Sequence, residues 1–111
     1  SYVYPSQPPT SSRIALAKES VVAFRELINP ALQKAYASVR GRFVDVTSAT
    51  GAYGSLTKTT KLHPYGSIPV PVAKVCTLTW FCAQGDIHAK TAGYNLIGKL
   101  IVGSYNAAKR S

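Results

Sequence analysis

The sequence predicts an α/β protein, and specifically a piece of one. Three observations lead there. Apolar residues recur at helical spacing over residues 14–28 and again over residues 91–109. A short β-branched and aromatic run, Arg42-Phe43-Val44-Asp45-Val46-Thr47, lies between them and reads as a strand. One strand, at most two, with two or three helices cannot complete a parallel sheet, whose strands need neighbours on both sides and helices on both faces.

The composition supports a packed chain. Hydrophobic residues make up 46% and charged residues 15%, a balance that excludes a disordered polypeptide. The 111 residues suffice for one compact domain or a large part of one. No apolar run approaches the ~20 residues that span a bilayer. The opening Ser1-Tyr2-Val3-Tyr4-Pro5 lacks the basic and apolar regions of a signal peptide and reads as an end left by processing.

Tyr2-Val3-Tyr4 can end a strand, and Pro5, Pro8 and Pro9 then force a loop. Thr10, Ser11 and Ser12 offer caps for the first helix. Its predicted buried stripe is Ile14, Ala17, Val21, Phe24 and Ile28. Asn29-Pro30 interrupts the pattern, giving two consecutive helices or one kinked helix. Gly41 is the expected C-cap, with Arg40 in the last turn. Residues 48–71, rich in Gly, Ser, Thr and Pro, read as a long irregular loop of the kind that often carries function. Pro71 opens a short helix over residues 72–79. The last helix is expected over Thr91–Lys109, with Tyr94, Ile97, Ile101 and Tyr105 as its apolar face.

Thirteen Lys and Arg against four Asp and Glu give a net charge of +9, spread evenly along the chain. Such a field attracts anionic surfaces, but there is no dense basic run of the nucleic-acid-arm type. Cys76 and Cys82 read as a local disulfide, and hence as the mark of an exported protein; two buried free thiols are the alternative. His63 and His88 stand at no recognised zinc spacing from the cysteines.

Most of the chemistry gathers in Cys76-Thr77-Leu78-Thr79-Trp80-Phe81-Cys82-Ala83-Gln84-Gly85-Asp86-Ile87-His88-Ala89-Lys90-Thr91-Ala92-Gly93-Tyr94. A histidine on the loop before a helix can exchange protons, and a nearby carboxylate or carbonyl fixes its tautomer. That is what a serine nucleophile needs from its base. A helix-start histidine is also commonly structural, and Asp86 there can be a plain cap. Trp80 reads as a packing residue.

The segment from Asp86 to Tyr94 resembles the final block of SGNH (GDSL-type) hydrolases: an Asp just before a His, then small or polar residues, then Gly and an aromatic opening the last helix. Val75 to Cys82 is similar to the cysteine-bracketed aromatic stretch of secreted actinobacterial members. Phe43-Val44-Asp45-Val46 resembles a strand preceding the catalytic loop. The resemblance implies a three-layer α/β/α, flavodoxin-like fold of which this chain supplies the C-terminal part. It implies His88 as general base and then acid, with Asp86 orienting it. The family spacing is Asp-x-x-His, whereas this chain has Asp-x-His; Gly85, three before His88, offers only its main-chain carbonyl for the same task.

The Gly-Asp-Ser nucleophile block and the blocks carrying the oxyanion donors do not occur in this sequence. Ser55 and Ser67 follow glycines but read as turn residues. The expected partner is therefore an N-terminal chain carrying the nucleophile, sharing a sheet and core with this one. The substrate would be a carboxylic ester, possible lipids included. In the His63-to-Pro71 loop, Tyr65 and Ile68 would line the acyl cleft, or Pro and Gly simply fix an exposed loop. No metal or organic cofactor is implied. The rival account is an exported, non-enzymatic basic module bound to anionic envelope polymers or membranes. A nucleic-acid binder lacks a stacking motif or basic stripe.

Overall fold

A computed structural model describes residues 11–110, the side chains of Arg13, Ile14 and Ala17 excepted. The expected strand at Tyr2-Val3-Tyr4 and the Thr10 cap lie outside the described residues. The elements run α1 (Ser11–Ala23), a π-helical segment (Phe24–Ile28), α2 (Asn29–Ser38), α3 (Val46–Ala49), β1 (Thr59–Leu62), β2 (Gly66–Pro69), α4 (Val70–Leu78), α5 (Phe81–Gln84) and α6 (Thr91–Lys109).

Asn29-Pro30 does not split the first helix. Ile28 and Asn29 keep helical dihedrals, and the Asn29 N–H reaches back to the Phe24 carbonyl. Proline removes one N–H and crowds the carbonyl four residues earlier. Widening one turn to π geometry absorbs both effects. The expected buried stripe is corrected here: Phe24 and Ile28 are exposed, and Leu27 is 68% exposed beside them.

The helix ends with its left-handed residue one position earlier than expected. Arg40, not Gly41, has positive φ, at 57°. The Gly41 N–H donates to the Tyr36 carbonyl at 2.7 Å. Glycine at 41 eases a tight approach: a Cβ there would lie 3.1 Å from that carbonyl and 3.2 Å from the Tyr36 ring.

The strand expected over residues 42–47 is absent, and residues 41–45 are irregular. The Asp45 carboxylate accepts the Ser48 N–H at 2.9 Å and starts α3. An Asp followed three residues later by a free N–H is an N-cap, and here that local bond prevails over β propensity. Buried Asn29 ties the helix to this segment. Its amide donates to Thr47 Oγ1 at 3.3 Å and to the Tyr53 hydroxyl, which in turn donates to Asp45 at 3.0 Å.

The long loop expected over residues 48–71 contains a hairpin. β1 and β2 pair antiparallel, with Thr60 opposite Ile68 and Leu62 opposite Gly66. Gly66, at φ 73°, permits the turn, and the Tyr65 N–H donates to the Leu62 carbonyl at 2.7 Å. The His63–Pro64 peptide is cis. The hairpin leads straight into α4, where Pro71 sits in the first turn as expected.

The core is centred on α4. Ile68, Ala73, Cys76 and Cys82 are its buried members, and Leu62, Tyr65, Val72 and Phe81 pack against them. α6 meets this unit through Gly93. A Cβ there would stand 2.3 Å from the Leu78 carbonyl, so only glycine allows the approach. The expected apolar face of α6 is turned by part of a turn. Tyr94, Ile101 and Tyr105 are exposed, while Ile97 of the expected face is half-buried together with Leu96, Leu100 and Ser104, and Gly93 is buried.

Candidate functional site

The site grows from the C-terminal end of α4. Thr79 leaves the helix in an extended conformation and bridges antiparallel to Ala89. The Trp80 N–H donates to the His88 carbonyl at 3.0 Å, and the Lys90 N–H to the Leu78 carbonyl at 2.8 Å. Between these rungs, α5 makes one turn and closes on Gly85, which takes the left-handed conformation at φ 67°. The disulfide Cys76–Cys82, with Cα atoms 5.1 Å apart, ties α4 to α5. The expected cysteine pairing is present.

This scaffold presents Asp86 and His88 outward. Asp86 Oδ1 accepts the main-chain N–H of His88 at 2.9 Å and meets the ring Nδ1 at 2.5 Å. The first bond is an Asx turn, which brings the ring back over its own loop. It explains how a carboxylate only two residues away reaches Nδ1. Both bonds favour the charged carboxylate and hold Asp86 below the usual carboxylate range, the main-chain bond contributing most. An ionised carboxylate only accepts, so Nδ1 is the donor in this pair, and in the neutral ring Nε2 is then the nitrogen with the lone pair. The His88 side chain is 74% exposed, so that lone pair faces solvent or a partner. In the neutral ring Nε2 is therefore the atom that can accept a proton.

Lys90 braces the loop from the other side. Its ammonium donates to the Cys76 carbonyl at 3.1 Å and lies 4.9 Å from the Trp80 ring centroid. The packing role expected of Trp80 is corrected here: it is 41% exposed, outside the α4 core, and its ring serves as this cation's platform. Neither Lys90 nor its contacts were singled out from sequence; a lysine two residues after the histidine is the only local signal.

The other candidates lie elsewhere. Ile68 is buried in the α4 core at 7% exposure, and Tyr65 packs against that core half-buried. Ile68 therefore offers no open surface here, and Tyr65 offers some. Ser55 Oγ lies 2.6 Å from Thr57 Oγ1, and Ser67 Oγ 3.4 Å from Thr59 Oγ1. Both serines engage in turn and hairpin contacts. Among the described residues no group of three His, Cys, Asp or Glu can hold a metal ion, and no helix is long and apolar enough to cross a membrane.

Comparison with protein-family models, curated proteins and solved structures gave no match for this chain.

Proposed function

We propose that this chain is the C-terminal part of an SGNH-type carboxylic-ester hydrolase and supplies its catalytic base, His88. The Asp86–His88 pair carries the reading: an exposed imidazole whose Nδ1 is held by a carboxylate, on a braced loop at the start of a helix. A serine from polypeptide outside residues 1–111 attacks the ester carbonyl. His88 Nε2 takes the hydroxyl proton and returns it to the alcohol as the acyl-enzyme forms. Water then attacks the acyl-enzyme, with Nε2 again removing and returning a proton. Asp86 orients the ring and offsets the imidazolium charge.

The same polypeptide would complete the α/β/α layers. The exposed Phe24, Leu27 and Ile28 on the first helix support this, because an isolated domain would cover them. Export is part of the proposal, with the disulfide as its support.

The test is His88→Ala in the assembled protein, assayed with a short-chain nitrophenyl ester. Hydrolysis should fall about a thousandfold, within the range for losing a general base, while native mass spectrometry shows the assembly unchanged. Retained hydrolysis overturns the reading. So does a stable, folded 111-residue monomer with no accompanying polypeptide, whose binding to anionic polymers falls steeply with salt; that result leaves the basic binding module as the better account.

A further inference from the structure

We infer that Lys90 is the positioning residue of the His88 loop, its ammonium capping the end of α4 and so fixing the segment that carries Asp86 and His88. Its importance for catalysis rests on the hydrolase reading; its effect on the His88 ring does not.

The argument starts with a carbonyl. In a continuing helix the Cys76 carbonyl would accept the N–H of residue 80. Trp80 instead gives its N–H to the His88 carbonyl. The Cys76 oxygen is thus one of the terminal carbonyls that a helix leaves without its usual partner. Lys90 Nζ takes it at 3.1 Å. A cation at a helix C-terminus also meets the negative end of the helix dipole.

The ammonium has a second anchor in the Trp80 face, 4.9 Å away. One anchor, the Cys76 carbonyl, lies in the last turns of α4, and the other, Trp80, is bonded directly to the His88 carbonyl. The Lys90 main chain is bonded to Leu78, so backbone and side chain of one residue grip the same helix end. His88 lies two residues before this grip, and its carbonyl is held by Trp80. The gripped carbonyl belongs to a half-cystine, which the disulfide to Cys82 keeps from drifting. Loss of the ammonium would leave only two main-chain bonds, Trp80 N–H to the His88 carbonyl and Lys90 N–H to the Leu78 carbonyl, joining the His88–Lys90 side of the loop to the end of α4.

Lys90→Met keeps most of the stem and removes the charge and donor; Lys90→Arg keeps both. The protein is labelled with nitrogen-15 histidine and purified with any chain that accompanies it. A His63→Gln variant assigns the signals. In the starting protein the His88 ring shifts should report one dominant tautomer, protonated at Nδ1. Lys90→Met should move them towards the mixture of free imidazole, and Lys90→Arg should restore them. Exchange of the Trp80 and Lys90 amides should quicken about tenfold, the factor for loss of one charge-assisted hydrogen bond. Exchange within α6 should not change.

Unchanged His88 shifts and unchanged local exchange in Lys90→Met overturn the inference. Uniformly faster exchange throughout the chain also overturns it, because it makes Lys90 a general stabilising residue. If Lys90→Met does not fold, Trp80→Leu carries the decision: it removes the second anchor and should move the same ring signals in the same direction. These readouts use no ester, so a failed hydrolysis assay leaves them standing, and an unmoved ring leaves the hydrolysis test standing.

Discussion

Asp86 Oδ1 accepts two hydrogen bonds from one residue, the main-chain N–H and the ring Nδ1 of His88. The first sets the loop and the second sets the tautomer. Asp86→Asn leaves the shape almost unchanged but presents an amide that can donate. The favoured tautomer then shifts towards the proton on Nε2, where a base needs its lone pair. If His88 is the base, hydrolysis should fall by up to roughly 10⁴-fold with assembly intact, as for the wrong tautomer in a Ser-His-Asp site. The pH dependence follows from the lowered Asp86 value. A depressed carboxylate adds stability that is fully present above its ordinary value of 3.8 and is lost as pH falls through the lower native one. An NMR titration of the Asp86 carboxyl should therefore have its midpoint below 3.8. A midpoint at or above that value would show that the pair does not persist in solution.

At the scale of elements, glycines give the sharpest tests. Gly93→Ala puts a methyl against the Leu78 carbonyl and should cost about 1–3 kcal/mol in denaturant unfolding, as overpacking does. Gly98→Ala meets nothing within 4 Å and should instead stabilise α6, by up to about 1 kcal/mol from helix propensity. Arg40→Gly should stabilise the end of α2 by about 1 kcal/mol, because an L-residue pays for its left-handed conformation. Replacing both cysteines with serine opens a short loop and should cost about 2 kcal/mol on the loop-entropy estimate. The elements also show what the sequence made legible. Pro71 marked α4, and the closing helix and the cysteine pair were plain, because each has a strong local signal. Residues 42–47 misled because β propensity is weak beside a carboxylate that finds an N–H three residues on. The hairpin was hidden because its strands are only four residues each and stand in a Gly/Thr-rich stretch. Asp86 and His88 were legible as a motif. The brace from Lys90 was not, since its partner is a main-chain oxygen fourteen residues away, which no side-chain pattern encodes.

The described residues form an open shape. Its radius of gyration is 15.5 Å, against about 13 Å for a compact domain of roughly this length. The helix of α1 and α2 carries exposed Leu16, Leu27, Leu32 and Val39, while the buried core is confined to the α4 unit. Native mass spectrometry of the purified protein should therefore find residues 1–111 together with further polypeptide bearing a Gly-Asp-Ser block, either on the same chain or on a second one. Aspartate at Leu27 should weaken that association without disturbing the α4 unit, as read by amide exchange. The helical periodicity of the first segment is visible in the sequence; which of its apolar residues stay exposed is not, because burial is set by contacts distant in sequence.

The hydrogen bonds and the disulfide that hold the His88 loop are short in sequence. They span 6 residues for the disulfide and 14 for the Lys90 side-chain bond. Bringing the ends of such small loops into contact takes microseconds or less, and the disulfide then forms on the slower scale of thiol oxidation. The loop can therefore assemble during folding without waiting for the distant contacts that a full sheet requires. A partner surface arriving later would meet an arm already in its final shape, and docking would spend little free energy on ordering it.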